Sequence, residues 1–193
     1  GMGEQNFIKL CTFGLNKYLI LSDPNKNEFS NSIIIKALRN TDERIKNNQS
    51  VTPGFLLAAL LWPLLISKCS KNGEVNIRKF FRSMDGVLRE QQKLTAIPRK
   101  FNSYIKDIWV LQLKLHSRIK SQPYKTIRHP RFRAAYDFLL VREQASGDKN
   151  GLGKWWTDFQ KNDDSLRGSL ISSMNEKSDE ESSKIFGFFK ELR

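Results

Sequence analysis

The sequence predicts an all-α fold: an irregular bundle of about seven to nine helices with no sheet. Three observations lead there. Apolar residues recur every three or four positions through most of the 193-residue chain, the spacing that lines one face of a helix. No stretch alternates apolar and polar residues as a half-buried strand would, and no segment repeats another. Proline, Asn-Gly and serine-rich breaks cut the periodic runs into lengths ordinary for globular helices. The composition, 39% hydrophobic and 27% charged, is that of a folded domain.

In chain order, residues 4–21 carry Phe7, Ile8, Leu10, Cys11, Leu15, Tyr18 and Leu19 at helical spacing, with a bend expected at Gly14. Ser22-Asp23-Pro24-Asn25 ends that run. Residues 28–47 form a second stripe, with Phe29, Ile33, Ile34, Ala37, Leu38 and Ile45 towards a core and Lys36, Arg39, Arg44 and Lys46 towards solvent. Thr52-Pro53 supplies an N-cap and a first-turn proline. The helix opened there is apolar on every side, which places it centrally, and Asn72-Gly73 is expected to close it. Residues 76–95 carry Ile77, Phe80, Phe81, Met84, Val87, Leu88 and Leu94. Behind Pro98, Phe101, Ile105, Ile108, Gln112, Leu115 and Ile119 predict a helix that stops near Ser121-Gln122-Pro123. A short helical turn over 124–127 leads to His129-Pro130. The helix over 131–144 then buries Phe132, Ala135, Tyr136, Leu139 and Leu140.

A glycine-rich loop separates this body, residues 1–147, from a C-terminal segment, residues 148–193. That segment holds a Trp-rich helix around Trp155-Trp156, an acidic tail from Lys161 expected to be loosely held, and a short terminal helix over 184–192.

Several chemistries are excluded. Cys11 and Cys69 are too few and too distant for a disulfide framework, and with His116 and His129 they make no metal-ligand spacing. A reducing cytoplasm and no structural metal follow. The apolar stretch over 54–66 is interrupted by Pro63 and falls short of the roughly 20 residues a membrane span needs, and no signal peptide is evident, so no membrane partner is expected. No nucleophile or carboxylate stands at a catalytic spacing from either histidine; His129 reads as a turn residue and His116 as a surface residue.

What stands out is charge. Residues 88–133 hold twelve Lys and Arg against two acids, ten of the thirteen net positive charges of the chain. A solvated basic tail would lack the large apolar residues interleaved with these charges at helical spacing. The stretch therefore reads as packed helix with a basic outer face, the electrostatic footprint of a surface that neutralises phosphates. Arg99, Lys100, Lys106, Lys114 and Arg118 are the candidates in its first part, with Asp107 placed to pair with the lysines. Lys125, Arg128, Arg131 and Arg133 form a second cluster. Tyr104, Trp109, Trp155 and Trp156 have the chemistry to stack on bases but fit the core stripes better.

Six strings carry a resemblance: KALRNTDERI (36–45), TPGFLLAALLWPLL (52–65), AIPRKF (96–101), DIWVLQLKL (107–115), HPRFRAAYDFLLVRE (129–143) and KWWTDFQ (154–160). In that order and spacing the chain resembles, over residues 4–160, the C-terminal body and leg of bacterial poly(A) polymerase I, a relative of the class II CCA-adding tRNA nucleotidyltransferases. The resemblance implies an all-helical body that helps hold RNA, whether a single-stranded 3′ end or a tRNA-like one. It also implies a catalytic head that uses ATP and Mg2+ for AMP transfer.

That head's pattern is Gly-Ser followed by Asp-x-Asp, two carboxylates that hold the metal ions. This chain has no Asp-x-Asp: Asp163-Asp164 are adjacent, and Gly168-Ser169 follows them. The expectation is an RNA-binding part of a polynucleotide adenylyltransferase, inactive alone, its head lost or separately encoded. The alternative is a headless helical adaptor, protein-binding or RNA-binding, without an enzymatic role.

Overall fold

The computed structural model describes residues 28–71, 74–95, 97–147 and 151–175. Eight helices account for most of them: α1 (Glu28–Lys46), α2 (Pro53–Cys69), α3 (Ile77–Leu94), α4 (Lys100–Leu115), α5 (Gln122–Ile127), α6 (Phe132–Ser146), α7 (Leu152–Lys161) and α8 (Asp164–Asn175). The all-α expectation holds. One minimal departure is an antiparallel pair of two-residue strands, β1 (Ser70–Lys71) and β2 (Glu74–Val75), with Ser70 opposite Val75. The expected helices over 4–21 and 184–192, the Gly14 bend and the Asn72-Gly73 turn lie outside the described residues.

Helix α2 is the hub, packed on α1, α3, α4 and α6. An all-apolar helix is stable only when every side is covered, and this one buries Phe55, Ala58, Ala59, Leu61, Trp62, Leu65 and Cys69. It runs unbroken through Pro63, and Thr52 takes its N-cap position without a side-chain capping bond. The Trp62 indole meets Phe138 and Phe80 edge to face, with ring centres 5.5 and 6.1 Å apart. Trp109 of α4 donates its indole N–H to the Ala58 carbonyl at 3.0 Å.

A second core joins the C-terminal half of α4 and α6 to α7 and α8 through Leu111, Leu115, Phe132, Tyr136, Leu139, Trp155, Trp156, Phe159 and Ile171. Trp156 donates to the Leu115 carbonyl at 2.9 Å. That bond gives a physical reason for α4 ending at Leu115, several residues before the expected stop: a helix-end carbonyl finds its donor on α7, and the chain turns away. Residues 164–175, expected in a loose tail, form α8, held by buried Ile171 and by Arg167, which donates to the Phe159 and Gln160 carbonyls.

The apolar stripes overreach at their ends. Ile45 is 59% exposed where it was assigned to a core, because residues 45–50 all project past their neighbours. Ile77, Phe81 and Leu94 of α3 are likewise exposed, and Leu140 is half-buried.

Candidate nucleic-acid interface

The nine basic candidates are spread over three helices and the turns between them. At one end of the bundle, Arg99 and Lys100 open α4, Arg131 and Arg133 open α6, and all four are exposed. Tyr104 joins the two starts. It stands one turn after Lys100 on α4, half-buried, and the Arg131 guanidinium lies 4.7 Å from its ring centre. Gly54 in the first turn of α2 makes room for it: a Cβ there would stand 2.6 Å from Tyr104 Cδ1 and 3.3 Å from Phe101 Cδ1.

The other candidates sit differently. Lys114 is exposed near the far end of α4, about 21 Å from Lys100 at ~1.5 Å rise per residue. Lys125 and Arg128 are exposed on and after α5. Arg118 is half-buried, its guanidinium 5.8 Å from the Trp155 ring centre. Lys106 reaches across to Asp85 of α3, so the ion pair of this part of α4 is made between helices and not, as expected, by Asp107. A lysine held this way is a poorer phosphate ligand than its position in the sequence promised.

Beside Arg131 and Arg133 lies a carboxylate shared between two helices. Asp137, one turn into α6, pairs with Arg133 at 3.1 Å and with Arg44 of α1 at 3.2 Å. Burial raises the Asp137 carboxyl above the usual range, against the opposing pull of Arg133 and Arg44. Arg44, assigned to solvent, instead turns inwards and also donates to the Ser50 carbonyl. The i,i+4 spacing of Arg133 and Asp137 is visible in the sequence; the partnership with Arg44, 93 residues away, is not.

The aromatic assignments to core hold for Trp109, Trp155 and Trp156, all buried. His129 acts as a turn residue, its Nδ1 accepting from the Arg131 backbone N–H at 3.1 Å. His116 corrects the surface assignment. It is half-buried with Nε2 shut off from solvent, and burial together with Arg142 and Arg118 lowers its pKa to about 3. Among the described residues no three His, Cys, Asp or Glu side chains converge as a metal ion would need.

A family model described as "Polymerase A arginine-rich C-terminus" matches residues 72–185. The chain belongs to this family. The chain is 34% identical over 171 residues to poly(A) polymerase I of Escherichia coli, covering 83% of this chain and 37% of that protein. Poly(A) polymerase I of Haemophilus influenzae is 33% identical over 176 residues, 89% of this chain and 37% of the relative. That of Salmonella typhi is 37% identical over 134 residues, 66% of this chain and 29% of the relative. The chain thus spans less than two fifths of the length of these relatives. The match begins at residue 72, so within the family model α3 to α8 carry the basic candidates, while Arg44 and Gly54 that complete their setting come from before it. Among the described residues no helix is long and apolar enough to cross a membrane.

Proposed function

We infer that this chain is the RNA-holding C-terminal part of a bacterial poly(A) polymerase. Adenylyl transfer from ATP to RNA 3′ ends would belong to a catalytic head whose Gly-Ser and Asp-x-Asp pattern these residues lack. The observation that carries the reading is that Arg99, Lys100, Arg131 and Arg133 are all exposed at the starts of two packed helices, with Arg131 lying on Tyr104. Guanidinium and ammonium groups fixed on helices neutralise phosphates without ordering long flexible arms, and such contacts ignore sequence, as a grip on many RNA 3′ ends requires. The setting is the bacterial cytoplasm, and the process RNA 3′-end polyadenylation.

The test is fluorescence anisotropy of labelled oligo(A), a tRNA and a duplex DNA against the chain at several salt concentrations. The expected result is tighter binding of single-stranded RNA than of duplex DNA, with affinity falling steeply as salt rises. No RNA binding at low salt would reject the reading. One observation favours a protein-binding adaptor in that case: Ile77 and Phe81, one turn apart on α3, are both more than two fifths exposed.

A further inference from the structure

Between α1, the segment that enters α2, and the start of α6 the fold leaves a cavity of about 170 Å3, lined among others by Asn40, Arg44, Thr52, Phe55, Tyr104 and Arg131. Pockets that enclose a drug-sized molecule run to roughly 300–1,000 Å3. This one has room for a single planar ring system with its polar edge.

Its chemistry has three parts. The mouth is cationic: Arg131 is exposed and has no carboxylate partner among the described residues, while Arg44 and Arg133 together face the single carboxylate of Asp137. The walls are aromatic, Phe55 and Tyr104. Inside, Asn40 carries a side-chain oxygen shielded from solvent that accepts no hydrogen bond among the described residues. A shielded acceptor without a donor opposes folding, and one that lines a cavity is relieved when an occupant brings the donor. Thr52, which leaves α2 uncapped by its side chain, adds a second polar group to the wall.

A basic mouth, aromatic walls and a side-chain amide are the means by which single-strand sites take up an unstacked base, and an amide oxygen pairs with an exocyclic amine. We propose that this cavity binds one unstacked nucleotide with an amine-bearing base, its amine donating to Asn40 and its phosphate resting on Arg131. As a stop in the path of a strand, the site rests on the RNA-holding reading above. As a nucleotide site it stands on the cavity itself.

The experiment is chemical-shift mapping of the full chain with AMP, UMP and inorganic phosphate, with oligo(A) added to a parallel sample. AMP should move the backbone resonances of residues 40, 52, 104 and 131 saturably, and UMP and phosphate should move them far less. Asn40→Leu, which leaves every charge in place, should weaken AMP about tenfold. Arg131→Ala, at an exposed position, should do the same. AMP that shifts nothing at the cavity, or UMP or phosphate that match it, overturns the proposal. Oligo(A) binding with AMP silent removes this site and leaves the RNA-holding reading standing. AMP bound at the cavity with oligo(A) unbound supports the nucleotide site and removes the strand.

Discussion

Arg142 carries its charge into the core. It is 2% exposed, its guanidinium lies 4.7 Å from the Trp62 ring centre, and it donates to Gln112 Oε1 at 2.8 Å. Gln112 in turn donates to the Ala135 carbonyl at 3.0 Å, which accounts for a polar residue in the apolar stripe of α4. Such a buried charge is tolerable only with partners of this kind. It also disfavours a proton on its neighbour His116, whose pKa falls to about 3 from an ordinary 6.5, with burial the largest cause. Between those two values the unfolded chain takes up a proton that the folded chain refuses, so stability falls as pH drops through the window. The urea midpoint should therefore fall between pH 7 and pH 5, and it should fall less in His116→Gln. Parallel profiles for the two proteins would contradict this assignment. The sequence showed His116 beside a basic stretch and so suggested a surface residue; the Arg142 that lowers its proton affinity is 26 positions away, and only the packing of α4 on α6 brings them together.

Helix existence was legible in the sequence because each helix writes its own period, and the apolar α2 declared its central place by having no polar face. Helix ends were not, since tertiary bonds decide them. Leu115 ends α4 where Trp156 takes its carbonyl, and Ile45, Ile77 and Leu94 continue stripes past the last neighbour that covers them. The β1 and β2 pair was within reach, since Asn-Gly in a sequence is a hairpin signal as much as a helix stop. The approach of α4 to α2 depends on one atom that is absent. Adding it with Gly54→Ala would push a Cβ to 2.6 Å from Tyr104, so the ring and the Arg131 stacked on it must move. A loss of about 1–3 kcal/mol is expected in chemical denaturation, despite the better helix propensity of alanine. An unchanged or higher stability would mean that the two helices yield freely.

At the scale of the molecule, the sequence located the charge correctly along the chain but not in space. A run of 46 residues holds ten net positive charges, and the fold divides them. Arg99, Lys100, Arg131 and Arg133 lie at the starts of α4 and α6, Lys114, Lys125 and Arg128 are exposed at the end of α4 and on and after α5, and Lys106 and Arg118 are engaged with Asp85 and Trp155. No linear spacing encodes that division, because it arises when α5 carries the chain from the end of α4 back to a helix packed alongside it. The salt dependence of oligo(A) affinity, measured for the wild type and for two charge-reversed proteins, decides where RNA is gripped. One carries Arg99→Glu, Lys100→Glu, Arg131→Glu and Arg133→Glu; the other carries Lys114→Glu, Lys125→Glu and Arg128→Glu. Each phosphate contact contributes about −0.7 to the log–log slope for a single strand, so the first protein should lose about 2 to 3 units of slope with most of its affinity, and the second markedly less. Equal slopes in all three proteins, or a larger loss in the second, would contradict the assignment of the RNA grip to the starts of α4 and α6.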